Sequence, residues 1–426
     1  MNPTAPLLTD SLHTWLDYWT KIHVTAIDLG LERVLPVARA LNVLSTDATV
    51  FTVAGTNGKG STTATMSSIL VQAGQRVGLY QSPHIFNFNE RVRINGQEVD
   101  DATLVQAFFD VEQARQSCDL TLSFFEATTL AAFLIFKQQG CTAWVLEIGL
   151  GGRLDVVNII EPDVAVITNI GLDHVDWLGD TIEKIAYEKA GIIRKNIPVI
   201  FAGQQDLPQA IADKVSECQA NLHQYNKDYV CTWFEEGWTL ATASETLSFP
   251  HGSLAFTNQA GAVMAIMASN LTVSHQAMIA GVQLAQLAGR FEQRTYQGKS
   301  VILDVAHNPH GIEFLHQQLN NYLKLHPEIT EIHAVFSMLD DKDIEGVVAL
   351  LTNTVKQWYI APLNVVRATT LARLEQALEG QKVIASPTIQ QGFKTAIKNS
   401  AAHQLILVCG SFHTLEAVWE CLINDE

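Results

Sequence analysis

Short apolar runs alternate with longer stretches of helical periodicity along most of this chain. β-branched runs bounded by turn residues predict buried strands, and the longer stretches between them predict the crossover helices of a parallel sheet. The first part of the chain contains five strand candidates: Val50–Ala54, Val77–Tyr80, Ala143–Ile148, Val164–Thr168 and Pro198–Phe201.

The same alternation starts again after Gly289 with a second set of strand candidates. These are Val301–Val305, His333–Phe336, Trp358–Ala361, Lys382–Ala385 and Leu405–Cys409. Because 426 residues exceed one ordinary core, we expect two domains, 1–289 and 295–426, with a hinge at 287–296. The predicted fold class is α/β, with an N-terminal P-loop-type domain built on a mostly parallel sheet and a smaller C-terminal Rossmann-like domain.

Two segments depart from this alternation. Arg91–Val99 alternates polar and apolar residues around Asn95-Gly96, which predicts a β-hairpin. Asn221–Pro250 is rich in tryptophan and broken by turn residues, and it predicts a small β excursion.

A glycine-rich turn follows the first strand candidate. Gly55–Gly60 contains one lysine, Lys59, and precedes a predicted helix at Ser61–Ala73. Backbone N–H groups, the helix dipole and the lysine together form a cradle for nucleotide phosphates. Gly60 separates Lys59 from Ser61, whereas the usual Walker pattern has Ser or Thr directly after the lysine. The alternative is a tight strand–helix turn without a ligand.

Polar residues that end other strands are metal candidates. Glu147 comes at the carboxyl end of a buried strand and His174 follows the next one, where ligands of open α/β sheets bind. A carboxylate there suits Mg²⁺, and so does the hydroxyl of Ser82 after the Val77–Tyr80 strand. The alternatives are a helix cap for Glu147, a structural hydrogen bond for His174 and an ordinary turn for Ser82.

Two further residues have different explanations from their positions in the sequence. Lys189 lies near the end of an amphipathic helix that Gly191 closes, so spacing predicts a solvated lysine. Asp304 ends the first strand of the second domain, where it could bind a ribose or hold a lysine, or cap the helix that follows.

Composition narrows the range of functions. A net charge of −17 argues against nucleic acid as a partner, because no basic excess exists to neutralise its phosphates. No apolar run approaches a membrane span of about 20 residues, and Met1–Leu12 lacks the features of a signal peptide. The cysteines are scattered at positions 118, 141, 218, 231, 409 and 421, which is typical of reduced thiols in a cytoplasmic protein.

Together these strings resemble the Mur-ligase-like ATP-dependent amide ligases, and within them the bacterial ligases that act on folates. The resemblance extends from about Trp15 to Phe412. The matching strings, in family order, are Ile27–Gly30, Gly55–Ser61, Ser82–His84, Phe125–Glu126, Glu147–Asp155, Asp173–His174, Glu188–Gly191, Gly289–Phe291, Asp304–Pro309 and Val408–His413.

The resemblance implies a reaction and its cofactors. It implies that L-glutamate is added to dihydropteroate, giving dihydrofolate, and to reduced folates, giving polyglutamates. ATP would supply the energy through an acyl phosphate, with ADP and phosphate released and two Mg²⁺ ions bound. The expected partners are these small molecules, and the expected state is a cytoplasmic monomer.

The resemblance also assigns roles to residues. Lys189 matches a lysine that CO₂ carbamylates in the family, so its expected role changes from solvated cation to metal ligand. Lys59, Lys189 and His307 are the catalytic candidates, with His307 near the incoming amine. The metal candidates are Ser82, Glu147, His174 and Lys189. The ATP-binding candidates are Thr56, Asn57, Gly58, Lys59, Gly60, Ser61, Asn258, Arg290 and Asp304.

The pterin pocket implied by the resemblance has three parts: Ile27, Asp28 and Leu29; Phe124, Phe125 and Glu126; and Leu154, Asp155 and Val156. One departure lies there, since Val156-Val157 stands where the family commonly has Ala-Thr. That change concerns substrate preference and leaves the ATP chemistry untouched.

Three alternatives stay open at this point. One is a monofunctional folylpolyglutamate synthase, and another is a Mur-type peptidoglycan amino-acid ligase. The latter normally carries an additional N-terminal UDP-binding domain, whereas the phosphate loop here begins at residue 55. The third is a regulatory protein that senses ATP, which would have no need for the second metal site suggested by Glu147, His174 and Lys189.

Overall fold

The computed structural model describes residues 4–23, 30–365, 367–401 and 403–424. The chain folds as two compact units. One consists of the residues up to 252 together with 256–286, and the other of 253–255 together with the residues from 287 onward.

The strands of the first unit are β1 Thr49–Ala54, β2 Val77–Tyr80, β3 Val92–Ile94, β4 Gln97–Glu98, β5 Ala143–Glu147, β6 Val164–Ile167, β7 Pro198–Phe201, β8 Asn221–Gln224, β9 Tyr229–Phe234, β10 Gly237–Thr242 and β11 Thr246–Phe249. Its helices are α1 Leu12–Lys21, α2 Val34–Ala40, α3 Lys59–Gln72, α4 Asp101–Ser117, α5 Phe124–Gln138, α6 Val175–Leu178, α7 Ile182–Ala190, α8 Gln209–Cys218, α9 Phe256–Ala268 and α10 His275–Leu284.

The second unit contains the strands β12 Glu292–Tyr296, β13 Lys299–Leu303, β14 Glu331–Phe336, β15 Val355–Ile360, β16 Val383–Ala385 and β17 Gln404–Cys409. Its helices are α11 Pro309–Leu325, α12 Ile344–Leu351, α13 Leu371–Ala377, α14 Ile389–Asn399 and α15 Phe412–Asn424.

The main sheet of the first unit has, among the residues described, eight strands in the order β4-β3-β2-β5-β1-β6-β7-β8. From β2 to β8 every neighbouring pair is parallel. All five predicted strands of this part are present, within one residue at each end. The carboxyl ends of β2, β5, β1 and β6 therefore lie side by side, at the edge where ligands of open α/β sheets bind.

Both faces of this sheet are covered by apolar packing. In β1, Val50 and Ala54 contribute to one core, which includes Trp15 and Trp144, while Phe51 contributes to the other. This arrangement explains why the strands read as continuous apolar runs, since a parallel sheet buried on both faces has no polar side.

The predicted hairpin is confirmed as β3 and β4, which pair antiparallel at the sheet edge. Asn95 and Gly96 both have positive φ, 52° and 79°, as a two-residue hairpin turn requires. The predicted β excursion at 221–250 is only partly right. β9, β10 and β11 form their own three-stranded sheet, but β8 joins the main sheet beside β7.

The second sheet has the order β12-β13-β17-β14-β15-β16 over the described part of the unit. The five predicted strands pair in parallel, and β12 adds an antiparallel edge. The sequence reading missed β12, because Glu292–Tyr296 falls in the segment predicted as a hinge and is mostly exposed. Asp304 follows β13 and Gly410 follows β17, so both lie at the carboxyl edge of this sheet.

Across the described ranges, the helices are too short or too polar to span a bilayer.

Candidate functional site

The glycine-rich loop joins β1 to α3 in the first unit. Gly55 has φ 150° and Gly58, the residue before the helix, has φ 85°, so both adopt conformations that a side chain would oppose. The helix begins at Lys59 and not at the predicted Ser61, because the left-handed Gly58 turns the chain directly into the first helical residue. The amide groups of Lys59, Gly60 and Ser61 therefore belong to the first turn of a 14-residue helix.

Residues that follow β6 hold the loop in place. Asn169 Oδ1 accepts from the Asn57 amide at 3.0 Å, and its Nδ2 donates to the Asn57 carbonyl at 3.0 Å. The hydroxyl of Thr168 donates to the same carbonyl at 2.6 Å. Thr56 exchanges hydrogen bonds with the backbone of Gly171, at 3.1 and 2.9 Å. These bonds fix the loop before a ligand arrives, which lowers the entropy cost of binding.

Two lysines from distant parts of the chain meet at this loop. Lys59 Nζ donates to the Gly55 carbonyl at 3.1 Å, and Lys189 Nζ donates to the same oxygen at 2.9 Å. Lys189 lies at the end of α7 and is only 4% exposed, so the solvated lysine predicted from spacing is wrong. Tertiary packing of α7 against the loop, invisible in the local pattern, buries the side chain.

The pKa of Lys189 is lowered to about 7, first by burial and then by the positive charge of Lys59. The carboxylates of Asp173 and Asp155 act in the opposite direction. At neutral pH a large fraction of the Lys189 amine is therefore unprotonated and able to act as a nucleophile.

Asp155 is a buried carboxyl close to the lysines. It accepts hydrogen bonds from the amides of Leu150 and Val157, at 2.8 and 2.9 Å. Burial raises its pKa to about 6, although these backbone bonds and the charge of Lys59 lower it. Its carboxyl thus holds the glycine-rich segment after β5.

Three of the metal candidates, Ser82, Glu147 and His174, follow or end strands of the main sheet at its carboxyl edge. Glu147 is the last residue of β5 and is buried, and its Oε2 lies 3.4 Å from the Ser82 amide that follows β2. His174 follows β6 and its side chain is 52% exposed, with Nε2 3.9 Å from Asp173 Oδ2. Within the described residues, no group of three or more His, Cys, Asp or Glu side chains is placed to hold a metal ion.

The available donors nevertheless fit a hard cation. A hydroxyl, a carboxylate and an imidazole at one sheet edge offer oxygen and nitrogen ligands, and Mg²⁺ needs few protein ligands because it keeps several waters. A lysine carbamate would add a further carboxylate-like donor next to the phosphate loop.

Two of the predicted pterin residues, Phe124 and Phe125 of α5, lie beside other aromatic rings. The Phe125 ring lies 6.1 Å from that of Tyr80, and the Phe124 ring lies 5.9 Å from that of Phe88. Glu126 is buried and committed to the protein, since its oxygens accept from Arg33 at 2.9 and 3.1 Å and from the Ser123 amide at 2.7 Å. Its carboxylate shapes this region and caps α5. The predicted residues Ile27, Asp28 and Leu29 lie outside the described residues.

Arg91 is a buried cation beside these rings. Its guanidinium lies 5.7 Å from the Phe88 ring centre and 5.6 Å from that of Phe124, and Nε donates to His84 Nδ1 at 2.7 Å. Burial lowers the pKa of Arg91 and lowers that of His84 to about 4, so His84 is a neutral acceptor. Glu147 is among the charges that stabilise the guanidinium.

Asn258, near the start of α9, packs on the loop from the other side. A side chain added at Gly58 would meet Asn258 Oδ1 at 2.3 Å, so the amide lies directly against the loop backbone. Asn258 therefore lies beside the loop that is predicted to hold the ATP phosphates.

The second unit places its own candidates together. Asp304 is buried, and its oxygens accept from the amides of Phe291 and Ala306 at 2.8 Å each. Burial raises the pKa of its carboxyl, and the charge of Arg290 opposes that rise. The guanidinium of Arg290 lies 5.4 Å from the Phe412 ring centre. Asp304 does not cap α11, because Asn308 does so by accepting from the Gly311 amide at 2.7 Å.

His307 lies at the same sheet edge. Its Nδ1 is 2.8 Å from the carbonyl of Val305, and its ring centre is 5.9 Å from that of Phe412. Because a carbonyl oxygen can only accept, Nδ1 is the nitrogen that carries the proton in this hydrogen bond.

Sequence reasoning missed several residues that build this region. Thr168 and Asn169 hold the loop, Arg91 lies among the pterin candidates, and Asp173 stabilises the charge of Lys189. Thr168, Asn169 and Asp173 follow β6, whose carboxyl end is at the ligand edge, and that position was the signal available in the sequence. Arg91 comes just before β3, which begins beside the carboxyl end of β2.

Comparison with protein-family models gives two matches. The Mur ligase middle domain matches residues 53–274, and the Mur ligase glutamate ligase domain matches residues 289–412.

Curated relatives match over nearly the whole chain. The dihydrofolate synthase/folylpolyglutamate synthase of Escherichia coli K12 is 42% identical over 98% of this chain and 97% of its own length. The enzyme with the same name from Haemophilus influenzae is 35% identical over 98% and 99%.

Solved structures agree with the fold. E. coli FolC in complex with DHPP and ADP has a TM-score of 0.93 and 41% identity, covering 99% of this chain and 100% of that one. A bifunctional folylpolyglutamate synthase/dihydrofolate synthase with Mn, AMPPNP and L-glutamate bound has a TM-score of 0.89 and 39% identity, covering 99% and 100%.

Proposed function

The chain belongs to the dihydrofolate synthase/folylpolyglutamate synthase family of Mur-type ligases, and from that premise we propose that it joins L-glutamate to dihydropteroate and to reduced folates. ATP supplies the energy, and ADP and phosphate are released. The observation that carries this proposal is the meeting of Lys59 and Lys189 at the Gly55 carbonyl of a phosphate-type loop.

The chemistry requires activation of a carboxylate, which is a poor electrophile. A carboxylate oxygen attacks the γ-phosphorus of ATP, the bond to the β,γ-bridging oxygen breaks, and ADP leaves. The unprotonated amine of glutamate then attacks the acyl carbon, the C–O bond breaks, phosphate leaves and the amine loses a proton. Positioning and charge neutralisation are the main contributions that a protein can make to the first step.

Residues Thr56–Ser61 are proposed to hold the ATP phosphates. The amides of the first turn of α3 face an anion favourably, and Lys59 adds a positive charge. Asn258, Arg290 and Asp304 remain proposed ATP contacts. The packing of Asn258 on Gly58 supports the first of these, and the shared position of Arg290 and Asp304 at a sheet edge supports the others.

Ser82, Glu147, His174 and a carbamylated Lys189 are the proposed ligands of two Mg²⁺ ions. When bound, the metal ions neutralise the charge of the phosphate oxygens. Lys189 is suited to carbamylation because its buried amine has a pKa of about 7 and can attack CO₂ in its neutral form. A carbamate also replaces a second positive charge beside Lys59 by a negative one.

The pterin pocket is proposed to comprise Ile27–Leu29, Phe124–Glu126 and Leu154–Val156. The aromatic rings around Phe124 and Phe125 suit a flat heterocycle. Because Glu126 and Asp155 use their oxygens on Arg33 and on backbone amides, they are proposed to shape the pocket and position its walls. His307 is proposed to lie near the glutamate amine.

The remaining parts of the proposal concern organisation. We divide the chain into an ATP-binding domain at 1–289 and a C-terminal ligase domain at 295–426, with 287–296 as the hinge. We also propose a cytoplasmic monomer, where the free cysteines would stay reduced.

Isotope transfer tests the proposed reaction. Dihydropteroate labelled with ¹⁸O in its carboxylate is incubated with ATP, glutamate and the enzyme, and the phosphate released is analysed by mass spectrometry. An acyl phosphate intermediate predicts one ¹⁸O in each phosphate formed. Product formation with unlabelled phosphate would rule out the intermediate, and no product from dihydropteroate or any reduced folate would rule out the proposed function.

A further inference from the structure

Gln81 connects two parts of the candidate site that are distant in sequence. It immediately follows β2 and precedes Ser82, and it is only 5% exposed. Its backbone amide donates to the Arg91 carbonyl at 3.0 Å, which fixes the start of the side chain. The side chain then extends from the end of β2 to the first turn of α3.

The amide of Gln81 binds the phosphate-type loop directly. Nε2 donates to the Gly60 carbonyl at 2.9 Å and to the Thr63 hydroxyl at 2.9 Å. Because the Gly60 carbonyl can only accept, the nitrogen of the amide must face the loop. The Thr63 hydroxyl lies 3.0 Å from the Lys59 carbonyl and from the Gly60 carbonyl. One side-chain amide therefore fixes the backbone of the residue next to Lys59.

The oxygen of the same amide, Oε1, indicates that a contribution to stability is not the reason for a glutamine at this position. In the described part of the chain, Gln81 Oε1 is buried without a hydrogen-bond partner. A buried acceptor without a partner is unfavourable, and an apolar side chain of similar length would avoid that loss. The benefit of glutamine here lies in what Nε2 does to the loop.

We infer that Gln81 is a positioning residue for ATP. It holds Gly60 so that the first-turn amides of α3 and the Lys59 ammonium face the phosphates, and it keeps Ser82 in register with them. This inference rests on the proposed role of Thr56–Ser61 as the phosphate cradle.

The test is Gln81→Met, which keeps the length of the side chain and removes its donor. We expect kcat/KM for ATP to fall about tenfold, as the net loss of one or two hydrogen bonds implies. The KM values for glutamate and dihydropteroate should stay within twofold of the wild type. A residue with a merely structural role would change the active fraction without this selective effect on ATP.

Gln259 provides a matched control. It is fully buried, its Nε2 donates to the Val282 carbonyl at 3.0 Å, and its Oε1 also has no partner among the described residues. Gln259→Met thus removes a comparable buried amide without touching the Gly60 carbonyl. We expect it to lower Tm by a similar amount and to leave kcat/KM for ATP within twofold.

Two kinetic outcomes would overturn the inference. One is that Gln81→Met and Gln259→Met lose stability alike and both keep the wild-type kcat/KM for ATP. The other concerns Gln81→Glu, which is the second variant if Gln81→Met does not fold. A carboxylate cannot donate to Gly60, so wild-type kcat/KM for ATP in Gln81→Glu would contradict the inference. Calorimetry with AMPPNP separates this inference from the proposed function. If the wild type does not bind AMPPNP, the phosphate cradle itself is contradicted. If wild type and Gln81→Met bind AMPPNP equally well, only the role of Gln81 is contradicted.

Discussion

Lys59 and Lys189 donate hydrogen bonds to one acceptor, the Gly55 carbonyl oxygen, at 3.1 and 2.9 Å. Burial lowers the pKa of Lys189 to about 7, and repulsion by the positive charge of Lys59 adds to this effect. The pair therefore consists of one lysine proposed to bind phosphate and one amine proposed to be converted to a carbamate anion. That division of roles underlies the first two predictions.

Replacing Lys59 by alanine should abolish ATP-dependent product formation. The variant loses the ammonium that neutralises the phosphates, and removal of one preorganised charge or donor costs about 10² to 10³ in rate. Steady-state assays of product, with circular dichroism to check the fold, measure the effect. Near-normal turnover in Lys59→Ala would contradict the cradle assignment.

Lys189→Ala should lose activity that added acetate or formate partly restores. A short carboxylate can occupy the volume left by the side chain and supply the oxygen donors of the proposed carbamate. Lys184→Ala is the matched control, because Lys184 lies on the same helix, is exposed and pairs with Asp180 at 2.8 Å. It should show wild-type activity and no response to acetate. Full activity of Lys189→Ala without a rescue agent would refute a ligand role.

Thr168→Val should reduce kcat/KM for ATP by about fivefold to tenfold. The variant keeps the shape of the side chain and loses the hydroxyl that donates to the Asn57 carbonyl at 2.6 Å. The Asn57 carbonyl then loses one of its hydrogen bonds, and part of the order of the loop is lost before ATP binds. Kinetics at varied ATP concentrations check this, and an unchanged value would mean that the bond does not position the loop.

Asp155 should contribute a measurable pH dependence to stability. Its pKa is raised from 3.8 to about 6 in the folded state, so its favourable contribution is present below pH 4 and is lost as pH rises through 6. The pKa shift of about two units limits this contribution to the free energy of unfolding to at most about 3 kcal/mol. Urea unfolding at pH 4 and pH 7 should show that Asp155→Asn gains stability relative to the wild type at the higher pH. If the free energies of unfolding of wild type and Asp155→Asn change with pH in the same way, the raised pKa of Asp155 is contradicted.

The sequence predicts those parts of this site whose residues are close together along the chain. The loop could be predicted because Gly55, Gly58 and Lys59 are contiguous with their strand and helix. The burial of Lys189 could not be predicted from spacing, since its hydrogen-bond partner, Gly55, is 134 positions away. Only the resemblance to a family suggested its role as a ligand.

Two other differences have the same origin. Glu292–Tyr296 has no apolar run, and it becomes β12 only because β13 offers a free edge with which to pair. Gln81 shows no motif of its own, and its importance comes from the neighbouring positions of β2 and α3 in the folded chain. Residues that act through long-range contacts are therefore visible only in the structure.

The most direct test of the central claim is ATP-dependent ADP release with glutamate and one acceptor at a time. The account predicts release with dihydropteroate and with a reduced folate, each dependent on glutamate, and none with a UDP-MurNAc-peptide. Release with the reduced folate alone would indicate a monofunctional enzyme. Release with the UDP-MurNAc-peptide, or release independent of glutamate, would contradict the account.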